Sequence, residues 1–261
     1  MLGFRARRRR ALRKKPLSPE WLRIVQSNVP YVATLSAEDQ AELQGLMQVF
    51  LDEKHFEGLG GLQMTDEIRV TIAAQACILL LHRDTRFYPK LQSILVYPQA
   101  YLVEGLHRSE EGIVTEGAHA RLGQSWDQGS LVLSWNDVMK GASDLHDGQN
   151  VVFHEFAHQL DQENSAGPGA PLLPKRSMYL AWARVLGQEY EGLLQDLEEH
   201  RRTLIDPYGA SSPAEFFAVV TESFFEQPRQ LRAKHPELYD QLRGFYQQDP
   251  ASSRGLGPLD R

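Results

Sequence analysis

Val151-Val152-Phe153-His154-Glu155-Phe156-Ala157-His158-Gln159-Leu160-Asp161 is the stretch that decides how this chain is read. It sets an H-E-x-x-H motif inside an apolar run. On a helix, residues i and i+4 lie one above the other on the same face. His154 and His158, so placed, can bind one Zn²⁺ through ring nitrogens at roughly 2.0–2.1 Å. Glu155 sits beside that face, near enough to orient and deprotonate a metal-bound water, which is the constellation of a zinc peptidase. A chance H-E-x-x-H on a polar helix would be a solvated face. Here Val151, Val152, Phe153, Phe156, Ala157 and Leu160 make most of the circumference apolar and predict burial. Two histidines and a glutamate buried without partners are costly, and a metal removes that cost.

A catalytic zinc usually takes three protein ligands and keeps one open position. No third histidine follows at short spacing, since Gln159, Leu160, Asp161 and Gln162 come next. A carboxylate on a later helix is the alternative. Glu215 and Glu222, seven residues apart on a predicted helix 213–226, share a face among Phe216, Phe217, Val219, Val220, Phe224 and Phe225. Glu215 lies in the first turn, where the helix dipole favours a carboxylate. Either glutamate can be the ligand on this reading, with Glu222 suited to stand behind one. Asp161 lies seven residues past His154. It can accept the second N–H of a ligating histidine, or close the helix end. Tyr208, in Asp206-Pro207-Tyr208-Gly209, offers a phenol that can stabilise a developing oxyanion, although a lone tyrosine is more often a core residue. The other histidines lack ligand spacing.

Outward from the motif, the pattern is helix-rich. Ser18 with Pro19, Ser36 with Asp39, and Thr65 mark helix starts within 16–54 and at 66–82. Phe56 to Gly61 reads as an extended connection and turn. Strands are predicted at 93–98, with a continuation at 101–103, and at 129–135; residues 136–148 read as loop. Helices follow at 179–202, 213–226 with Ser212 as cap, and 236–247, and 164–174 is a Gly- and Pro-rich loop.

The 261 residues, 42% apolar and 24% charged, suit a soluble globular protein with a substantial core. A net charge of −6 implies no general or specific affinity for nucleic acid. With Cys77 the single cysteine, no intrachain disulfide exists and the zinc site cannot be thiolate-rich, which fits a cytoplasmic location. No apolar stretch long enough to insert in a membrane is present, nor a signal peptide. Eight Arg and Lys crowd residues 1–15, predicting a flexible basic arm. A single domain is expected over 16–250, with a helical N-terminal part at about 16–90 and a catalytic part at about 91–250, and residues 251–261 form a flexible tail.

The chain resembles the Mlc titration factor A family of zinc metallopeptidases. The resemblance rests on Ile72-Ala73-Ala74-Gln75-Ala76-Cys77, Ser125-Trp126-Asp127-Gln128-Gly129 with Val132-Leu133-Ser134-Trp135, Asn150 through Asp161, Ser212-Pro213-Ala214-Glu215-Phe216-Phe217-Ala218-Val219, and Phe245-Tyr246-Gln247-Gln248-Asp249-Pro250. It covers about residues 20–250. The resemblance implies Glu215 as the third zinc ligand, with Ser212 standing where the family's segment has Asp. It also implies a catalytic core similar to that of anthrax lethal factor, whose site tyrosine precedes the ligand glutamate by seven residues, as Tyr208 does here. The implied fold class is α+β: a mostly helical, zincin-like metallopeptidase with a small mixed β-sheet and one Zn²⁺ per chain.

The implied activity is aminopeptidase-type hydrolysis of a peptide, and the implied partner is a transcriptional repressor of the Mlc type that governs sugar-uptake genes. Two functions follow, a zinc peptidase and a non-catalytic protein that sequesters a transcriptional regulator. Glu155 favours the first, since a purely structural zinc site has no need of it. The strand at 131–135 offers a place to align a peptide by β-augmentation.

Overall fold

The computed structural model describes residues 2–99, 123–126, 129–163 and 167–252. Ten helices are described: α1 (Leu2–Leu12), α2 (Pro19–Asn28), α3 (Ala37–Glu53), α4 (Asp66–Ile78), α5 (Trp135–Ser143), α6 (Val151–Asp161), α7 (Tyr179–Glu198), α8 (Pro213–Glu226), α9 (Pro228–Lys234) and α10 (Pro236–Tyr246). They surround one small sheet of β1 (His55–Gly58), β2 (Ser93–Tyr97), β3 (Gly123–Trp126) and β4 (Ser130–Ser134). The order is β1-β2-β4-β3. β1, β2 and β4 run parallel, and β3 lies antiparallel on β4, with Gln124 opposite Val132. The class is therefore α+β, mostly helical, with a mixed sheet.

The caps explain several helix starts. Ser18, Ser36, Thr65 and Ser212 each accept a hydrogen bond from the backbone N–H three residues on, and proline follows Ser18 and Ser212 at the first helical position. Ile94, Val96, Leu131 and Leu133 point one face of the sheet into the core, alternating with more exposed neighbours. α6 lies between that sheet and α8, with α4 alongside. Phe153 meets Tyr31 and Phe225, and Phe156 meets Phe50 and Tyr88 at ring-centroid distances of 4.8–6.1 Å. These contacts bury the apolar circumference of α6 and leave only the histidine face less enclosed.

Several elements differ from the sequence expectation. Residues 136–143, read as loop, belong with Trp135 to α5, because Ser134 ends β4 and caps the helix by accepting from Asp137 N, and Val138 and Ala142 face the core. Residues 56–58, read as part of an extended connection, form β1 with His55 and pair with β2, which ties the N-terminal part into the sheet. α9 was also not foreseen, and α4 ends at Ile78 rather than 82. The continuation at 101–103 lies outside the described residues, as do 164–166 of the Gly- and Pro-rich loop.

The basic segment is the largest correction. Expected as a flexible arm, it is helical over Leu2–Leu12 and docked on α3. Arg9 Nε and Nη2 donate to Glu53 at 2.7 and 2.8 Å, Arg5 joins them at 2.8 Å, and Arg8 pairs with Asp52 at 2.7 Å. The Arg9 guanidinium also lies 4.7 Å from the Phe87 ring centre and donates to Arg86 O. Gly45 of α3 provides the notch: a Cβ there would stand 2.8 Å from Arg13 O. At the other end, Pro250–Ser252 form a 3-10 turn with Ala251 buried, and residues 253–261 lie outside the described residues.

Candidate metal centre

Asn150 starts α6 by accepting from Phe153 N at 3.0 Å. The helix then presents His154 and His158 one turn apart towards the first turn of α8, where Ser212 Oγ accepts from Glu215 N at 3.2 Å. His154 Nε2 lies 3.0 Å from Glu215 Oε2, His158 Nε2 lies 3.3 Å from the same oxygen, and the two Nε2 atoms are 3.3 Å apart. Bonds of 2.0–2.1 Å to one tetrahedral ion require donor atoms about 3.3 Å apart. Two nitrogens and one carboxylate oxygen, partly exposed and converging at that spacing, have the donor types and separations that suit a metal ion such as zinc.

The second face of His154 is held from behind. Its Nδ1 is 2.7 Å from Glu222 Oε1, and Glu222's other oxygen accepts from Asn150 N. Asn150 Nδ2 donates to Gln75 Oε1 at 3.0 Å and to Gly141 O at 3.2 Å. Gln75, Asn150 and Glu222 are buried, so α4, the start of α6 and α8 are locked together around one imidazole. Burial works against a charge on His154, but the hydrogen bonds to Glu215 and Glu222 outweigh it and raise its pKa to about 10. Burial likewise pushes the Glu155 carboxyl upward, opposed by the two histidines.

The remaining sequence candidates separate. Tyr208 sits in a 3-10 turn, Pro207–Ser211, where Asp206 accepts its N–H at 2.8 Å; the residue is 38% exposed, and its ring centre lies 5.9 Å from that of His154. Asp161, the other carboxylate considered for a place behind His154, instead accepts from Gly169 N at 2.8 Å. Gly169 O in turn accepts from Trp182 Nε1 at 3.0 Å, so Asp161 pins the loop that leaves α6. Gln75 and Asn150 were quoted only as part of a matching segment, and local pattern carries no sign of their joint role because they are 75 residues apart. A second acidic group, Asp39, Glu42 and His82, lies on the surface. His82 turns opposite ring nitrogens to the two carboxylates, Nε2 to Asp39 at 3.0 Å and Nδ1 to Glu42 at 3.5 Å, on a more exposed part of the molecule than His154 and His158.

The family model for glucose-regulated metallo-peptidase M90 matches residues 4–247. The chain belongs to this family of metallopeptidases. Among similar proteins, slr2042 of Synechocystis is 43% identical over 244 residues, covering 93% of this chain and 89% of its own. Mlc titration factor A of Pectobacterium atrosepticum is 35% identical over 85% of this chain and 84% of its own, and that of Klebsiella pneumoniae subsp. pneumoniae is 32% identical over 87% and 85%. The family match begins inside α1, so the docked basic helix lies within the shared span.

Proposed function

We propose that this chain is a zinc-dependent peptidase of the aminopeptidase type, with a zincin-like catalytic core and His154, His158 and Glu215 as the metal ligands. The observation that carries the reading is the convergence of their three donor atoms at 3.0–3.3 Å, with a separate buried glutamate, Glu155, next to His154 in the chain and electrostatically coupled to both histidines. A bound zinc ion supplies Lewis acidity towards water and towards a peptide carbonyl. Glu155 takes the proton of the attacking water and returns it to the departing amine. Its burial favours the protonated form and suits it to carry the proton between those steps. The Tyr208 phenol donates a hydrogen bond to the developing oxyanion. Glu222 fixes the tautomer of His154 by accepting from Nδ1, and Asn150 and Gln75 hold Glu222 and the start of α6 in place.

β4, expected to align a peptide, has β2 on one side and β3 on the other, so its backbone is not free for pairing. Among the described residues the free edge on that side belongs to β3, next to α6, and an extended peptide would pair there.

The relatives named Mlc titration factor A support a second, compatible role, in which the chain binds a transcriptional repressor of the Mlc type in the cytoplasm. No described helix is long and apolar enough to cross a membrane. The alternative to an enzyme is a protein that sequesters the repressor without catalysis. A panel of amino-acid and end-blocked peptide chromogenic substrates, run on zinc-loaded wild type and on Glu155→Gln, separates these readings. Hydrolysis of substrates with a free amino terminus, abolished by the substitution, supports the peptidase. Absence of turnover on every substrate in the zinc-loaded protein favours the sequestering role.

A further inference from the structure

α1 uses one side for docking and leaves the other unpaired. Arg5, Arg8 and Arg9 are committed to Glu53 and Asp52, and Arg13 lies against the Phe87 ring at 5.5 Å. On the opposite side stand Arg7 and Arg10, at i and i+3, and Lys14 and Lys15 follow in the turn that closes the helix; all four are exposed and none has an ion-pair partner among the described residues. Phe4 lies three residues before Arg7 on that stripe and is 75% exposed. All 34 acidic residues of the chain fall after this segment, so the free cations form a local positive ridge on an acidic body.

We propose that this ridge docks the protein on an anionic lipid surface. The charges alone fit any polyanion, and two further observations favour a membrane. A single exposed ring offers a nucleic acid no series of stacking platforms along the strand, whereas at a bilayer one ring is enough to settle at the boundary of headgroups and acyl chains. An extended polyanion following the ridge would run on to the acidic remainder of the chain and be repelled, while a planar surface meets the helix side alone. The docking is peripheral: four free cations supply long-range attraction and one phenylalanine a shallow anchor, and α1 stays packed on α3 throughout.

Sedimentation of the full chain with vesicles tests this. Wild type should pellet with equimolar phosphatidylglycerol and phosphatidylcholine, not with phosphatidylcholine alone, and 0.5 M salt, at roughly screening strength, should release it. Replacing Arg7, Arg10, Lys14 and Lys15 together by Gln should weaken binding at least about 100-fold, and Phe4→Ala should give a smaller loss that persists at low salt. Among the described residues these side chains make no hydrogen bond or ion pair and are exposed, so both variants should keep the wild-type circular dichroism and metal content. Equal binding to neutral vesicles, unchanged binding by the four-fold variant, or binding to a short DNA duplex or an acidic polypeptide without binding to vesicles would overturn the proposal.

Discussion

Glu155 and Glu215 stand in different relations to the candidate ligand set, and substitution separates them. Glu215 contributes one of the three converging atoms, and Glu155 does not. Glu155→Gln is therefore expected to retain zinc while peptide hydrolysis falls at least about 100-fold, because the proton carrier is lost and the ligands remain. Wild-type turnover in that variant would remove Glu155 from the role. Glu222 touches the far nitrogen of His154, so its loss should act on the metal indirectly. Competition against a chromophoric chelator should show Glu222→Gln weakening zinc by about 10–100-fold and Glu215→Gln weakening it more. The reverse ranking would move the ligand assignment from Glu215 to Glu222.

Among the elements, α1 offers the clearest physical test, since electrostatics and a backbone notch hold it. Burial tends to raise the Glu53 carboxyl, but hydrogen bonds from Arg9 and Arg5 prevail and lower its pKa from 4.5 to about 2. A depressed carboxylate stabilises the fold fully above its unfolded value and loses that contribution as pH falls through its folded value. The Tm difference between wild type and Glu53→Gln should thus be steady from pH 5 to 8, a range set by roughly ordinary carboxylate titration, and shrink as pH falls from 4.5 towards about 2. A difference that grows on acidification would show that Glu53 is not paired. Gly45→Val tests the notch. The added side chain would meet the Arg13 backbone, and α1 should become cleavable by trypsin while α3 and the metal centre persist. Unchanged protease resistance would place α1 elsewhere. Nothing local in residues 1–15 shows this docking, because Arg9 and Glu53 are 44 residues apart and the segment is poor in apolar positions.

Across the whole molecule, what could be read in advance follows the range of the interactions involved. Helix starts were legible where a serine or threonine side chain meets a backbone N–H three residues on, as at Ser18, Ser36, Thr65 and Ser212. The pairing of His154 with His158 was legible for the same reason, being one turn of one helix. Choosing Glu215 over Glu222 needed more than spacing: both share a face of α8, and only the tertiary meeting of α6 and α8 sends one to each side of His154. β1 and β3, four residues each, are strands because β2 and β4 pair with them, which their own short sequences do not reveal. α5 was hidden because one serine both ends a strand and caps a helix. The central claim joins elements 61 residues apart into one ligand set, and metal content tests it most directly. Mass-spectrometric and elemental analysis of purified protein should find one zinc per wild-type chain and none in His154→Ala/His158→Ala of the same fold. Stoichiometric zinc in the double variant would contradict the account.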